Sequence, residues 1–320
     1  MDRNIIFFGE KFTKENNSYI LGGEDMIASI VGNYLKEKGL LSSEQLMDLL
    51  EEHRKVRAKL GIIAVAEGLI SPEEAERINR LQAIMDMRFG DIAIEEGYLT
   101  EAQVENLLKK QENAYLAFAQ ALENQRLMLI EQLEQLLIDF QYDNGFTSSD
   151  MEILKCDDVD QILTLFIPKE AMEYEPIASV AVRTLMRLVD LNICIGRGFL
   201  TNYHEIENGA VQKVAGKTGF TTALVGKGTA LCEAAGVYGE EVFNVVDEDA
   251  IDAIGEIVNC INGLSTSSLG QHDASLDLCP PEYYLNVTSV EAKEMLVVPM
   301  KLLSKDVELV ITLGDELKIK

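Results

Sequence analysis

Residues 248–262 read EDAIDAIGEIVNCIN, and the spacing of apolar residues in this stretch decides how the C-terminal half of the chain folds. At 100° per residue, Ile254, Ile257, Val258 and Ile261 fall between about 140° and 240° around a helix, a band wide enough to anchor it on a core. Asp252, Glu256 and Asn259 fall at about 0°, 40° and −20°, on the opposite side. Asp247 and Asp249 are candidate caps at the helix start, where side-chain oxygens accept from unpaired backbone amides. Gly263 continues the polar stripe at the far end and puts no side chain in a partner's way. Read from this pattern alone, the helix is an amphipathic surface element with a solvated face.

The surrounding sequence is mixed α/β from about Ala171 onward. Ala178, Val182, Leu185 and Leu188 share one side and predict a helix from Pro176 to Asp190. Strand-like runs follow at Gly219–Val225 (GFTTALV), Met295–Val298 and Glu308–Leu313. Pro280 and Pro281 lie 21 and 22 residues after Asn259.

In that setting the helix resembles the CheX/CheC/FliY phosphatase family. The family motif is Asp or Ser, three residues, Glu, two residues, Asn, with a proline some way beyond. Here it reads Asp252-Ala-Ile-Gly-Glu256-Ile-Val-Asn259, then Pro280-Pro281. The resemblance spans residues 171–320 and is nearest to CheX-like members. It implies two long helices packed on an antiparallel sheet, a homodimer, and removal of phosphate from a CheY-like response regulator. Glu256 then engages the receiver's lysine, Asn259 positions the attacking water, and Asp252 and Gly263 serve docking. Mg²⁺ is expected on the partner receiver, with no cofactor in this chain. The residue types suit the task, because hydrolysis of an acyl phosphate needs positioning and electrostatics more than covalent help. The helix at 176–190 has Arg183, Leu185 and Met186 at its centre and no Glu-x-x-Asn, so one site per chain is expected.

The N-terminal third repeats itself every 29 residues: Gly32 and Gly39, Gly61 and Gly68, Gly90 and Gly97. In each copy the second glycine suits a helix C-terminus, where a left-handed residue is wanted. Two apolar residues follow, and then an N-cap with its capping-box partner: Ser42 and Gln45, Ser71 and Glu74, Thr100 and Gln103. Pro72 takes the first helical position. Such a unit cannot bury its apolar face alone, so the copies pack on one another as a helical scaffold. The spacing also resembles the tandem cyclic-di-GMP-binding N-terminal domain of type II secretion and pilus ATPases. Residues 88–111 match best, with Arg88-Phe89-Gly90, Gly97, Tyr98-Leu99, Val104, Leu108 and Gln111. Residues 59–82 keep Gln82 but have Lys59 for arginine, and Ala75 and Asn79 for the two leucines. Residues 30–53 have Ile30 for arginine and His53 for glutamine. The resemblance implies cyclic di-GMP as a regulator, with Lys59, Gln82, Arg88 and Gln111 as nucleotide-binding residues. Lysine for arginine weakens the match, because an ammonium cannot stack on guanine as a guanidinium does.

The chain as a whole is expected to be α+β and multidomain. Residues 1–26 carry no assignment, 27–112 hold the three repeats, 113–170 form a long helix and linker, and 171–320 form the CheX-like domain. The connector has neither glycine nor proline from Thr100 to Phe140 and apolar residues at helical spacing, with candidate bends at Asn113 and Asn124. The run Ile162–Ile167 receives no role. With 54 acidic against 28 basic residues and a net charge of −26, the chain repels polyanions, which excludes nucleic-acid binding through a basic surface. No apolar run is long enough to span a bilayer, and a cytoplasmic location is expected. The five cysteines are scattered, without CxxC, so reduced thiols and no metal site are expected. Gly216-Lys217-Thr218 is not a P-loop, since Val211 stands where that motif needs glycine. Three functional readings stay open: a receiver phosphatase, a non-enzymatic signalling adaptor, and a cyclic-di-GMP sensor.

Overall fold

The computed structural model describes residues 26–56, 60–61, 64, 68–110, 114–128, 130–269, 276–314 and 317–320. The unassigned segment 1–25, Lys59, Gln111 and Asn113 lie outside the described residues. Helices α1 (Met26–Glu37) and α2 (Ser43–Val56) come from the first repeat, α3 (Pro72–Met85) from the second, and α4 (Phe89–Glu95) and α5 (Glu101–Lys110) from the third. The expected punctuation is present. Gly39, Gly68 and Gly97 have φ of 73°, 68° and 76°, the left-handed values a helix end requires. All three capping pairs form in both directions. Backbone amides of Ser42, Ser71 and Thr100 donate to Gln45, Glu74 and Gln103 at 2.8, 2.7 and 2.8 Å, and the return bonds measure 3.1, 3.1 and 3.3 Å.

The other glycine of each copy does a different job. A Cβ on Gly32 would lie 2.5 Å from Leu46, and one on Gly90 would lie 2.8 Å from Val104. At Gly61 the residue in the same relation is Ala75, at 3.8 Å, and Phe89 of the next copy closes in to 3.1 Å. In the first and third repeats two helices thus cross at a glycine, with the residue 14 positions on filling the gap.

The connector is not the single long helix expected from its periodicity. It is divided into α6 (Ala114–Asn124), α7 (Ile130–Asn144), α8 (Ser148–Cys156) and α9 (Val159–Phe166). The break falls at Asn124, one of the two expected bends. There Arg126 adopts φ 56° and the Leu127 amide donates back to Leu122 O at 2.9 Å, closing the helix as a glycine would. Periodicity alone could not show this, because arginine is an unusual residue in that conformation. Phe118, Leu122, Leu133, Leu137 and Phe140 are buried in the main core. The run Ile162–Ile167, left without a role above, supplies α9 and its C-cap.

After a short 3₁₀ segment (Lys169–Tyr174) the α/β part begins with α10 (Glu175–Leu188), β1 (Cys194–Ile195), β2 (Phe199–His204), β3 (Asn208–Ala215) and β4 (Phe220–Gly226). It continues with α11 (Cys232–Gly239), α12 (Glu248–Leu269), β5 (Asp277–Leu278), β6 (Glu282–Tyr284), β7 (Val290–Leu302), β8 (Lys305–Leu313) and β9 (Lys318–Ile319). The sheet is antiparallel in the order β1-β7-β8-β4-β3-β5, with β2 and β9 also on β7 and β6 also on β3. The molecule is therefore α+β, with the two long helices α10 and α12 packed on an antiparallel sheet as expected. Strand alternation divides the side chains between two faces. Ala210, Val214, Leu224, Val298 and Leu309 join the helices in the main core, while Val211, Ala223, Val225, Val297 and Val310 form a smaller cluster behind.

The first repeat belongs to the main core, with Met26, Ile27 and Leu35 beside residues of α6 to α10, α12 and the sheet. The buried backbone amide of Ile27 donates to Asp157 at 2.8 Å. The second and third repeats share a separate core from Leu60 to Leu107. No described helix is long and apolar enough to cross a membrane.

Candidate functional site

Helix α12 begins at Asp247, whose carboxylate accepts from the Ala250 amide at 3.0 Å; of the two candidate caps, this is the one that caps. Glu248 and Asp249 place further negative charge in the first turn, where the helix dipole favours it. Ile251, Ile254, Ile257, Val258 and Ile261 are fully buried and fix the helix on the sheet. Asp252 and Glu256 are exposed, Asn259 is half-buried, and a Cβ on Gly263 would meet nothing within 4 Å. The carboxylate and the carboxamide are three positions apart on one face, which puts their Cβ atoms about 5–6 Å apart.

The edge of the sheet frames this stripe. After Pro280 and Pro281 the chain enters β6, which lies beside α12 and pairs with β3. The Tyr283 ring lies over Gly255, where a Cβ would stand 2.2 Å from Cε1, so only glycine admits the ring in that position. The Tyr283 phenol shares this edge with the carboxylates of Asp252 and Glu256. Burial first, and then the neighbouring Asp252 and Glu256, push the phenol up to about 12, so it keeps its proton. Tyr283 thus packs β6 against the helix beside the candidate stripe.

One residue of the site escaped the sequence reading. Gln212, on β3, is 1% exposed and donates through Nε2 to Asn259 Oδ1 at 2.8 Å and to the Cys279 carbonyl at 2.9 Å. Its Oε1 accepts from Asn262 Nδ2 at 2.9 Å, and Asn262 Oδ1 accepts from Thr222 Oγ1 at 2.7 Å. Gln212 and Thr222 are register partners across β3 and β4, so both reach α12 from the same rung of the sheet. The signal was available. In NGAVQKVA, Gln212 alternates with Ala210 and Val214, a polar residue at a core-facing position, but residues 208–215 had not been read as a strand.

Behind α12, Tyr238 and Cys260 are paired at 3.8 Å. Burial raises the Cys260 thiol above its ordinary range, which keeps it protonated and unreactive. Among the described residues no group of three His, Cys, Asp or Glu side chains is arranged to hold a metal ion.

The second long helix presents a different surface. Arg183 and Arg187 of α10 both pair with Asp86, Arg183 at 3.1 Å, and Arg183 also meets Asp160. Asp86 is the left-handed C-cap of α3, so a loop of the repeats covers this helix. Of the residues expected to bind nucleotide, Arg88 stands at the N-cap position of α4 and pairs with Asp91 at 2.9 Å and Asp158 at 2.6 Å. Gln82 is half-buried on α3, and Lys59 and Gln111 lie outside the described residues. Nothing in these contacts supports a nucleotide site.

No family model matches the chain, and no curated protein is significantly similar to it. Solved structures that resemble it are CheX- and CheC-like chemotaxis proteins. A chemotaxis protein CheX from Desulfovibrio desulfuricans is 16% identical, with a TM-score of 0.39 over 44% of this chain and 98% of its own. A CheC-like superfamily protein from Shewanella sp. PV-4 is 16% identical, with a TM-score of 0.38 over 42% of this chain and 93% of its own. CheX in a CheX–CheY complex with BeF3 and magnesium from Borrelia burgdorferi is 19% identical, with a TM-score of 0.36 over 43% and 96%.

Proposed function

We propose that this chain hydrolyses the phosphoaspartate of a CheY-like receiver domain, with Glu256 and Asn259 as its working pair. The observation that carries this reading is the placement of the motif. Glu256 is exposed and Asn259 half-exposed on one face of α12, while the opposite face is sunk in the core. A rigid helix of this kind can enter the acidic pocket of a receiver. Glu256 meets the receiver's lysine in a charge-assisted bond, and Asn259 orients a water in line with phosphorus. The water oxygen forms the new bond to phosphorus as the acyl-phosphate O–P bond breaks. The leaving electron pair returns to the receiver's aspartate, and the water's proton leaves with inorganic phosphate. Mg²⁺ belongs to the receiver, and this chain supplies neither metal nor nucleophile.

The test is incubation of the full chain with a panel of phosphorylated CheY-like receivers, following phosphate loss against the receiver's own decay. Acceleration is expected, and Asn259→Ala should lower it by about 100-fold with receiver binding unchanged. Binding of phosphorylated receivers without any acceleration would leave an adaptor, and the enzymatic reading would fall. Sedimentation of the same sample tests the homodimer that goes with it.

A further inference from the structure

We infer that Gln212 is a positioning residue for the phosphatase reaction proposed above, and that it fixes which end of the Asn259 carboxamide faces the receiver. Two atoms have a hydrogen-bonding role that admits no choice. A backbone carbonyl only accepts. The Cys279 carbonyl therefore takes a proton from the Gln212 amide, which makes the group at 2.9 Å from it Nε2 and turns Oε1 the other way. The Gln212 backbone carbonyl likewise takes a proton from Asn262, at 3.3 Å, which makes that group Nδ2. These two anchors agree with each other, since Asn262 Nδ2 also meets Gln212 Oε1 at 2.9 Å, and the Thr222 hydroxyl donates into Asn262 Oδ1 at 2.7 Å.

With its polarity set, Gln212 Nε2 has one proton left, and Asn259 must answer it with an oxygen at 2.8 Å. Asn259 Oδ1 is thereby held toward the core. Its Nδ2 is taken up by no described residue and is not a buried orphan, so it reaches solvent. The site presents a donor pair to the receiver, suited to a lone pair of the water or a phosphoryl oxygen. Without Gln212 the carboxamide can turn over and present its acceptor in the same place, because an isolated amide has two nearly equivalent orientations. Gln212, Asn262 and Thr222 are 1%, 0% and 0% exposed, so no water competes for this relay.

The experiment uses Gln212→Met, which keeps the volume and removes donor and acceptor, with retained folding checked by circular dichroism. The turnover of phosphorylated receiver is expected to fall at least tenfold, with KM for the receiver unchanged. In an Asn259→Ala background the same substitution should have no further effect, because Gln212 acts only through Asn259. A second readout does not depend on turnover. The Asn259 side-chain ¹⁵N heteronuclear NOE should be high in the native chain and fall in Gln212→Met toward that of the exposed Asn202. An Asn259 amide that stays ordered after Gln212→Met, or a loss of turnover that adds to that of Asn259→Ala, overturns the inference. Absence of turnover by the native chain on every receiver would instead remove the phosphatase reading, and the NOE would still decide whether Gln212 orders Asn259.

Discussion

At the scale of single residues, the site divides between side chains that announce themselves and one that does not. The shared placement of Glu256 and Asn259 was legible because helical periodicity sorts the whole of α12 into two faces, and the residues left on the polar face are few. Gln212 was hidden because its contacts cross from strand to helix, 47 positions apart in the chain. Local pattern carries no trace of such a pair; only the misplaced polarity within NGAVQKVA hints at it. Gly263 gives a test at this scale. It lies inside α12 with open space above it, so Gly263→Ala should raise stability by about 0.5–1 kcal/mol through helix propensity alone, read from urea melts. Gly263→Phe should leave the melt near native but weaken receiver binding, because the ring would stand where a partner must pass. Equal receiver affinity in the two variants would show that this end of the stripe is not part of the docking surface.

At the scale of elements, the caps and turns of the repeats were legible because turn chemistry is local, whereas the packing of all three copies on one another was not, since the first joins the main core. The two glycines of each copy had looked alike, yet they answer to different physics. Gly39 needs a left-handed backbone, with φ 73° and empty space around its Cα, while Gly90 has an ordinary helical backbone and Val104 pressed against it. Alanine at Gly39 should therefore cost about 1–2 kcal/mol of backbone strain. Alanine at Gly90 should cost a similar 1–3 kcal/mol from overpacking. Asparagine separates the causes. It tolerates the left-handed region, so Gly39→Asn should recover part of the loss, whereas Gly90→Asn should be worse than alanine. A urea series in which asparagine ranks the same way at both positions would refute the distinction. The connector teaches the opposite lesson. Its apolar spacing was real, but spacing shows which residues share a face and not where the axis turns, and the turn depended on Arg126 taking a conformation usually left to glycine.

At the scale of the whole molecule, the question is what joins the second and third repeats, which have their own core, to the α/β part. In a chain with a net charge of −26, guanidinium groups are scarce, and three of them, Arg88, Arg183 and Arg187, gather at this junction. Asp86 is the centre of the contact. Its side chain is 8% exposed and meets Arg183 and Arg187 of α10, whose own side chains are 19% and 24% exposed. Removing one partner from such a cluster leaves the others desolvated without compensation, which costs far more than a surface pair would. Asp86→Ala is expected to destabilise the chain by roughly 3 kcal/mol, with Asp86→Asn intermediate because the amide keeps its acceptor oxygen. The effect has an address. Hydrogen exchange should quicken together in the loop after α3 and along α10, two segments nearly 100 positions apart in sequence, while the β3–β4 ladder stays protected. Faster exchange in the loop with α10 unchanged would mean that Asp86 closes its own helix and nothing more, which would leave the Arg88–Asp158 pair to hold the repeats to the connector.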